Sequence, residues 1–89
     1  TLDLLVPMIH LQFFARYRDA LGCDAEQLAW DEDLRTLADV RSRLLARGEP
    51  WQVLAEPRLM CARNQELCDL ATAVADGDEV AFFPPVTGG

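Results

Sequence analysis

The sequence predicts an α+β fold in which a sheet of four to five strands carries one main helix on one face. Three observations lead to this prediction: alternating or apolar strand-like runs near both ends of the chain, one amphipathic helical segment, and a hairpin-like pair of segments. One amphipathic helix buries one face of such a sheet. We therefore expect two layers, with the other face of the sheet open.

Length and charge limit the chain to one acidic domain. Its 89 residues support a single small core, and its 51% hydrophobic content is typical of a globular chain. With 15 acidic and 8 basic residues the formal charge is −7, which repels nucleic acid and anionic lipid and favours a basic partner. We expect no nucleic-acid or membrane partner. Since the chain begins without a secretory signal pattern, we expect a cytoplasmic location.

The first element is a strand with one anomalous residue. Apolar and polar residues alternate from Ile9 to Ala15, which predicts a strand. Phe14 is a large aromatic on the face that otherwise carries polar residues. Either it marks a contact surface, or a loop or helix covers it.

A short helix and a second strand are predicted next. Residues 16 to 21 form a helical or turn segment that Gly22 ends. Arg18 within it is either solvated, or it faces a partner or binds an anion. Residues 25 to 30 alternate and predict a strand that forms a hairpin with the first.

The main helix is predicted from a capping pattern. Thr36 and Asp39 resemble a capping box with Asp in place of Glu, and apolar residues recur behind them at helical spacing. We expect a helix from Leu37 to Arg47, ended by Gly48. Pro50 then suits the start of a short further helix. Both tryptophans of the sequence are expected in the core.

A second hairpin follows the helices. Residues 59 to 63 and 66 to 68 flank Asn64 and Gln65, which are compatible with a tight turn because Asn tolerates positive φ. Residues 72 to 75 are predicted to form one helical turn.

The last eleven residues predict a strand followed by a tail. A short apolar run ends at Phe83, and Pro84 and Pro85 stop the strand because they have no N–H to donate. Six further residues reach roughly 20 Å beyond Phe83. Gly88 and Gly89 lack side chains, so the tip fits a narrow channel and its carboxylate is open to attack. Taken alone, such an end is also compatible with a frayed terminus.

The sequence gives no support for a metal site or for nucleophilic catalysis. Cys23, Cys61 and Cys68 have no Cys-x-x-Cys spacing, and the single histidine, His10, lies in a strand pattern. We expect three thiols that pack as small apolar residues, and a persulfide relay is the alternative. The acidic run 31–33 is interpreted as a solvated turn before the main helix.

Two stretches of the chain resemble the family of small, sulfur-carrier subunits of molybdopterin synthase, which are ubiquitin-like. They are Asp76-Gly-Asp-Glu-Val-Ala-Phe-Phe-Pro-Pro-Val-Thr-Gly-Gly89 and Met8-Ile-His-Leu-Gln-Phe-Phe-Ala-Arg-Tyr-Arg-Asp19. The resemblance implies a β-grasp fold, with the first and last strands parallel at the sheet centre. It divides the chain into an extended start or expression remnant over residues 1–7, expected to be disordered, a β-grasp domain over 8–83 and a tail over 84–89.

The resemblance also implies the chemistry. A ubiquitin-activating-like adenylyltransferase uses ATP to adenylate Gly89, and a sulfur donor protein converts the adenylate into a thiocarboxylate. The large subunit of molybdopterin synthase, in an expected heterotetramer of two small and two large subunits, then accepts the sulfur onto cyclic pyranopterin monophosphate. Most catalytic residues are expected on the large subunit, and no bound cofactor or metal is implied for this chain.

By the same resemblance, Gly89 is the catalytic residue, first as the glycyl adenylate and then as 1-thioglycine. The residues implied to thread the partner's channel are Gly88, Thr87, Val86, Pro85 and Pro84, and those implied at the partner interface are Phe14, Arg18 and Phe83. Three alternatives stay open: a sulfur carrier for thiamine thiazole synthesis, a ubiquitin-like modifier that conjugates to lysines, and a binding module with an idle tail.

Overall fold

The computed structural model describes residues 7 to 85. Its elements in chain order are β1 (Met8–Phe13), α1 (Ala15–Leu21), β2 (Ala25–Ala29), α2 (Leu37–Leu45), a 3₁₀ helix (Trp51–Ala55), β3 (Met60–Arg63), β4 (Glu66–Cys68) and β5 (Glu79–Phe83). The predicted strands, main helix and short helices before and after it are confirmed, with small differences in their bounds.

The five strands form one mixed sheet in the order β2-β1-β5-β3-β4. β1 pairs antiparallel with β2 and parallel with β5, and β3 pairs antiparallel with β5 and with β4. The first and last strands thus lie side by side at the centre, which confirms the β-grasp topology. Because β1 and β5 run in the same direction, their carboxyl ends meet at one edge of the sheet.

The core lies between one face of this sheet and the helices. Alternation along the two central strands turns five large apolar side chains to this face, and none is more than 1% exposed: Ile9, Leu11, Phe13, Val80 and Phe82. Leu37, Val40 and Leu44 of α2 pack against them with no exposed surface. Their helical spacing places all three on one side of α2.

The predicted capping box starts α2. The Thr36 hydroxyl accepts a hydrogen bond from the Asp39 amide at 3.3 Å, and the Asp39 carboxylate accepts one from the Thr36 amide at 3.1 Å. The helix ends at Leu45 rather than Arg47, because the amides of Arg47 and Gly48 bond three residues back and Gly48 takes a φ of 83°. Within residues 7 to 85 no helix is long and apolar enough to cross a membrane.

The helical turn predicted at Thr72–Ala75 is wrong. This segment is extended, and Ala73 forms a bridge with Thr36. The Thr72 carbonyl accepts a hydrogen bond from the Leu37 amide at 3.0 Å, so this backbone satisfies a donor that the first turn of α2 leaves free. A helical turn here would use its own carbonyls and could not supply this contact.

The tryptophans are half-buried at the margin of the core rather than inside it. The Trp51 ring packs edge-on against Phe13 with centroids 5.8 Å apart, and the Arg47 guanidinium lies 4.7 Å from the Trp51 ring centre on the outside. Trp30 directly follows β2, an edge strand, and packs against the margin of the same core.

A buried carboxylate joins the second hairpin to β5. Asp78 is 8% exposed, and it accepts hydrogen bonds from Arg63 at 2.7 Å, Asn64 at 3.2 Å and the Ala75 amide at 2.8 Å. Burial alone would raise the pKa of the Asp78 carboxyl, but these donors, with Arg63 first among them, hold that pKa below its usual value.

Asp78→Asn is expected to destabilise the domain by about 1–3 kcal/mol at pH 7, because the buried donors lose a charged acceptor. The pKa of Asp78 is lower in the folded state than in the unfolded state. Its contribution to the free energy of unfolding is therefore fully present above the unfolded-state pKa, and it is lost as the pH falls through the folded-state pKa. Urea unfolding at pH 7 and at about pH 2 should therefore show a larger cost at pH 7. Glu32→Gln, at an exposed residue, is the control. An equal cost of Asp78→Asn at both pH values would contradict the charge-based account.

Candidate functional site

The residues predicted as a partner interface lie where the two central strands end. Phe13 of β1 is in register with Phe82 of β5, so the residues that come directly after this pair are also neighbours. These are Phe14 and Phe83, whose ring centroids lie 6.3 Å apart in an edge-to-face arrangement. Since neighbouring residues of a strand point to opposite faces, both rings lie on the open face, away from the core.

Phe14 remains 45% exposed, so the interpretation that a loop or helix covers it is wrong. The alternation predicts that Phe14 lies within the first strand, but the structure places it one residue beyond the end of β1. It is the N-cap of α1 with an extended φ of −128°, and Ala15 after it has a φ of 55°. Phe83, in contrast, is the last residue of β5 as predicted.

An apolar patch extends from the two rings across the open face. We define it by the side chains of Phe14, Phe83, Leu67, Ala62 and Ala81. Together with the polar residues Gln12, Gln65 and Glu79 they line one shallow cavity of about 250 Å³. Ala62 and Ala81 are cross-strand partners, and their small side chains form its floor. Exposed apolar surface that is contiguous in this way is typical of a protein-binding site.

Leu67 is the member of the apolar patch that sequence reasoning missed. It is 69% exposed, more than any other large apolar residue among residues 7 to 85. β4 has only three residues, so its alternation does not reveal which face is buried. The predicted hairpin of β3 and β4 could have identified Leu67, because its register places Leu67 opposite Ala62 and therefore on the same face of the sheet.

Arg18 lies on α1 beside the apolar patch. Its side chain is 55% exposed, and its nearest carboxylate, that of Asp19, is 3.9 Å away. Arg18 and Phe14 line the same shallow depression on the side of the patch that faces β2. The structure thus brings the three predicted interface residues together around Phe14, with Phe83 on one side and Arg18 on the other.

A hydrogen-bond cluster holds α1, and with it Phe14 and Arg18, in place. Glu56 accepts a hydrogen bond from the Tyr17 hydroxyl at 2.6 Å and pairs with Arg16 at 2.7 Å. Burial and then the Glu56 hydrogen bond raise the pKa of Tyr17, while the Tyr17 hydroxyl and Arg16 lower the pKa of Glu56. Tyr17 itself is fully buried in the core. The short helix is therefore fixed by tertiary contacts rather than by its own length.

The predicted tail begins beside the apolar patch. Pro84 and Pro85 directly follow Phe83, are half-buried and belong to no helix or strand, so β5 ends where the prolines predict. Val86, Thr87, Gly88 and Gly89 lie outside the described residues, as do residues 1–6. Within residues 7 to 85, no group of three or more His, Cys, Asp or Glu side chains is placed to hold a metal ion.

Comparison with known proteins places the chain among small carrier proteins. The model of the ThiS family matches residues 11–89. The chain is 46% identical over 83 residues to a molybdopterin synthase sulfur carrier subunit from Haemophilus influenzae and 42% identical over 83 residues to one from Escherichia coli. Each match covers 92% of this chain and 100% of the relative.

A solved structure has the same fold. The crystal structure of small archaeal modifier protein 1 from Haloferax volcanii superimposes with a TM-score of 0.72 at 26% identity, covering 90% of this chain and 99% of the other. This similarity agrees with the ubiquitin-like β-grasp topology of the five strands.

Proposed function

The chain belongs to the ThiS family, and on that basis we propose that it is the sulfur carrier subunit of a molybdopterin synthase. The observation that carries the proposal is the apolar patch, which lies beside the residue where the Gly-Gly tail begins. A docking surface next to a reactive chain end is what a carrier needs to present that end to an enzyme. The identity to relatives named as such carriers supports the same conclusion.

The reactive group in this proposal is the Gly89 carboxylate. A carboxylate is a poor electrophile, because its charge repels nucleophiles and oxide is a poor leaving group. Attack of a Gly89 oxygen on the α-phosphorus of ATP releases pyrophosphate and gives an acyl adenylate on a ubiquitin-activating-like adenylyltransferase. The terminal sulfur of a persulfide on a donor protein then attacks the acyl carbon and AMP leaves, which gives an acyl disulfide. A second thiol attacks the donor's sulfur in that disulfide, which releases the thiocarboxylate and leaves a disulfide between the donor and the second thiol.

The sulfur is delivered in the active site of the large subunit. The terminal sulfur attacks cyclic pyranopterin monophosphate, and water then cleaves the bond between this sulfur and the Gly89 acyl carbon, which returns the carboxylate. Two such transfers build the dithiolene that later holds molybdenum. The chain thus acts as a sulfurtransferase subunit whose Gly89 provides the sulfur, in a heterotetramer of two small and two large subunits. Most catalytic residues belong to the large subunit. This chain holds no cofactor of its own, and the activating enzyme consumes the ATP.

The apolar patch and Arg18 supply the docking contacts in this proposal. Aromatic residues and Arg are the side chains that most often anchor protein interfaces. The formal charge of −7 favours a large subunit with a basic surface around its active site, which also suits a phosphorylated pterin. Assembly in the cytoplasm, where ATP and the activating enzyme are available, completes the proposal.

Two measurements test the function. Intact mass spectrometry of the chain from its native host should show a fraction in which one oxygen is replaced by sulfur. In a single-turnover assay, chemically thiocarboxylated carrier with the large subunit and pterin precursor should form molybdopterin, whereas carrier with an ordinary carboxylate should not. Absence of product from the thiocarboxylated carrier would refute the proposal.

A ubiquitin-like modifier is the second candidate, favoured by the similarity to a small archaeal modifier protein. It uses the same activated Gly89, but the acyl carbon is attacked by a lysine amine of another protein. Its signature is a set of higher-mass adducts of this chain in cell extracts that resist thiol reduction and disappear when Gly89 is deleted.

A further inference from the structure

Two of the three cysteines, which are separated in the sequence, lie side by side in the sheet. Cys61 of β3 and Cys68 of β4 are direct cross-strand partners. Cys61 is 2% exposed and belongs to the core, and Cys68 is half-buried and packs against the same core. The Cys61 thiol donates a hydrogen bond to the Cys68 carbonyl oxygen at 3.4 Å. Both thiols are free, and both lie on the helix-facing side of the sheet.

The hairpin geometry brings these two cysteines within reach of a covalent bond. Asn64 and Gln65 form a two-residue turn with φ values of 51° and 72°, which fixes the strand register. Directly opposed residues have Cα atoms about 4.5–5.5 Å apart, inside the range of about 4.4–6.8 Å that disulfides show. Their Cβ atoms must approach slightly. β4 can make this movement because it is an edge strand paired only with β3.

We propose that Cys61 and Cys68 are a redox-active dithiol, which a low-molecular-weight disulfide converts into a cross-strand disulfide. The Cys68 thiolate, which is the more exposed, attacks one sulfur of the small disulfide and releases one thiolate. The Cys61 sulfur then attacks Sγ of Cys68 in the mixed disulfide and expels the second thiolate. The two cysteine protons go to the two released thiolates, so the pair loses two electrons and the small disulfide gains them.

The surroundings of the thiols assign this order of attack. Burial, followed by the neighbouring Cys68, raises the pKa of Cys61 to about 12, so Cys61 is a poor first nucleophile. It is suited to the second step, in which the target sulfur is already held beside it. Cys23 precedes β2, at the opposite edge of the sheet from β4, and is too distant to take part.

This inference is independent of the proposed function. Leu67 precedes Cys68 on β4, and its side chain points to the open face, whereas the cysteine pair points to the helices. A disulfide would therefore form beneath the apolar patch and would use neither that patch nor the Gly-Gly tail.

The test uses the purified full chain and oxidised glutathione as the disulfide. Intact mass spectrometry should show the loss of two hydrogen atoms, and peptide mapping should locate the cross-link between Cys61 and Cys68. Closing this loop should raise the thermal midpoint by about 5 °C or more, because it restricts the unfolded chain. Cys23→Ser is the matched control and should lose two hydrogens as the parent does, whereas Cys68→Ser and Cys68→Ala should not.

Two results would overturn the proposal. One is a lasting glutathione adduct on Cys68 in the Cys23→Ser chain, without loss of two hydrogens. The other is an undiminished loss of two hydrogens in Cys68→Ala, which would show that a different pair reacts. Circular dichroism before oxidation verifies that each variant is folded. If Cys68→Ser disturbs the edge strand, Cys68→Ala is used in its place.

Discussion

Deletion of Gly89 is expected to reduce sulfur transfer in the single-turnover assay by at least about a hundredfold, because a displacement of even ~1 Å from the reacting position has an effect of that size. The deletion leaves Gly88 as the terminus and shortens the reach by about 3.5 Å. The reactive acyl carbon is then withdrawn from both the activating enzyme and the large subunit. To isolate the second step, the shortened chain is thiocarboxylated chemically before the assay.

Binding and folding provide the controls for this deletion. Terminal residues contribute few contacts in most domains, so the midpoint of urea unfolding and the affinity for the large subunit should stay close to those of the parent. Gly88→Val is the matched variant, because it keeps the length but adds a β-branched side chain and removes access to positive φ. Full turnover by the Gly89 deletion would contradict the proposed carrier function. Normal turnover by Gly88→Val would contradict only the hypothesis that the tail threads a narrow channel.

Alanine substitution of two adjacent phenylalanines of β5 is expected to separate stability from binding. Phe82 has no exposed surface and belongs to the core, so Phe82→Ala should lower the free energy of unfolding by about 3–5 kcal/mol. That loss is a large part of the stability of a small domain. Phe83 points to the open face, where its ring contacts Phe14. Phe83→Ala should therefore leave the fold intact.

The cost of Phe83→Ala should appear in complex formation. Loss of an aromatic anchor commonly weakens binding by about 2 kcal/mol, or roughly thirtyfold in affinity. Titration calorimetry with the large subunit measures this effect, and urea unfolding measures both variants under the same conditions. If Phe83→Ala destabilises the fold as much as Phe82→Ala does, Phe83 is a core residue and the interface assignment is wrong.

The sequence by itself determined the elements whose signals are local. Alternation in β1, the capping box of Thr36 and Asp39, and the two-residue turn at Asn64 and Gln65 each depend on residues only a few positions apart. Such signals act through backbone conformation and neighbouring hydrogen bonds, so they can be interpreted without knowledge of the fold. The end of β5 at Phe83 belongs to the same group, because Pro84 lacks an N–H.

Only the tertiary structure decided which residues from distant parts of the chain meet. Leu67 joins the apolar patch with Phe14 and Phe83, and the backbone at Thr72 serves the start of α2 instead of forming its own helical turn. In each case the segment is too short, or its residues have too little preference for helix or strand, for the local sequence to favour one face or one partner. Strand pairing decides which face is buried. Because the core residues of β1, β3 and β5 point to the helices, the other face of the sheet, with Phe14 and Phe83, stays open to a partner.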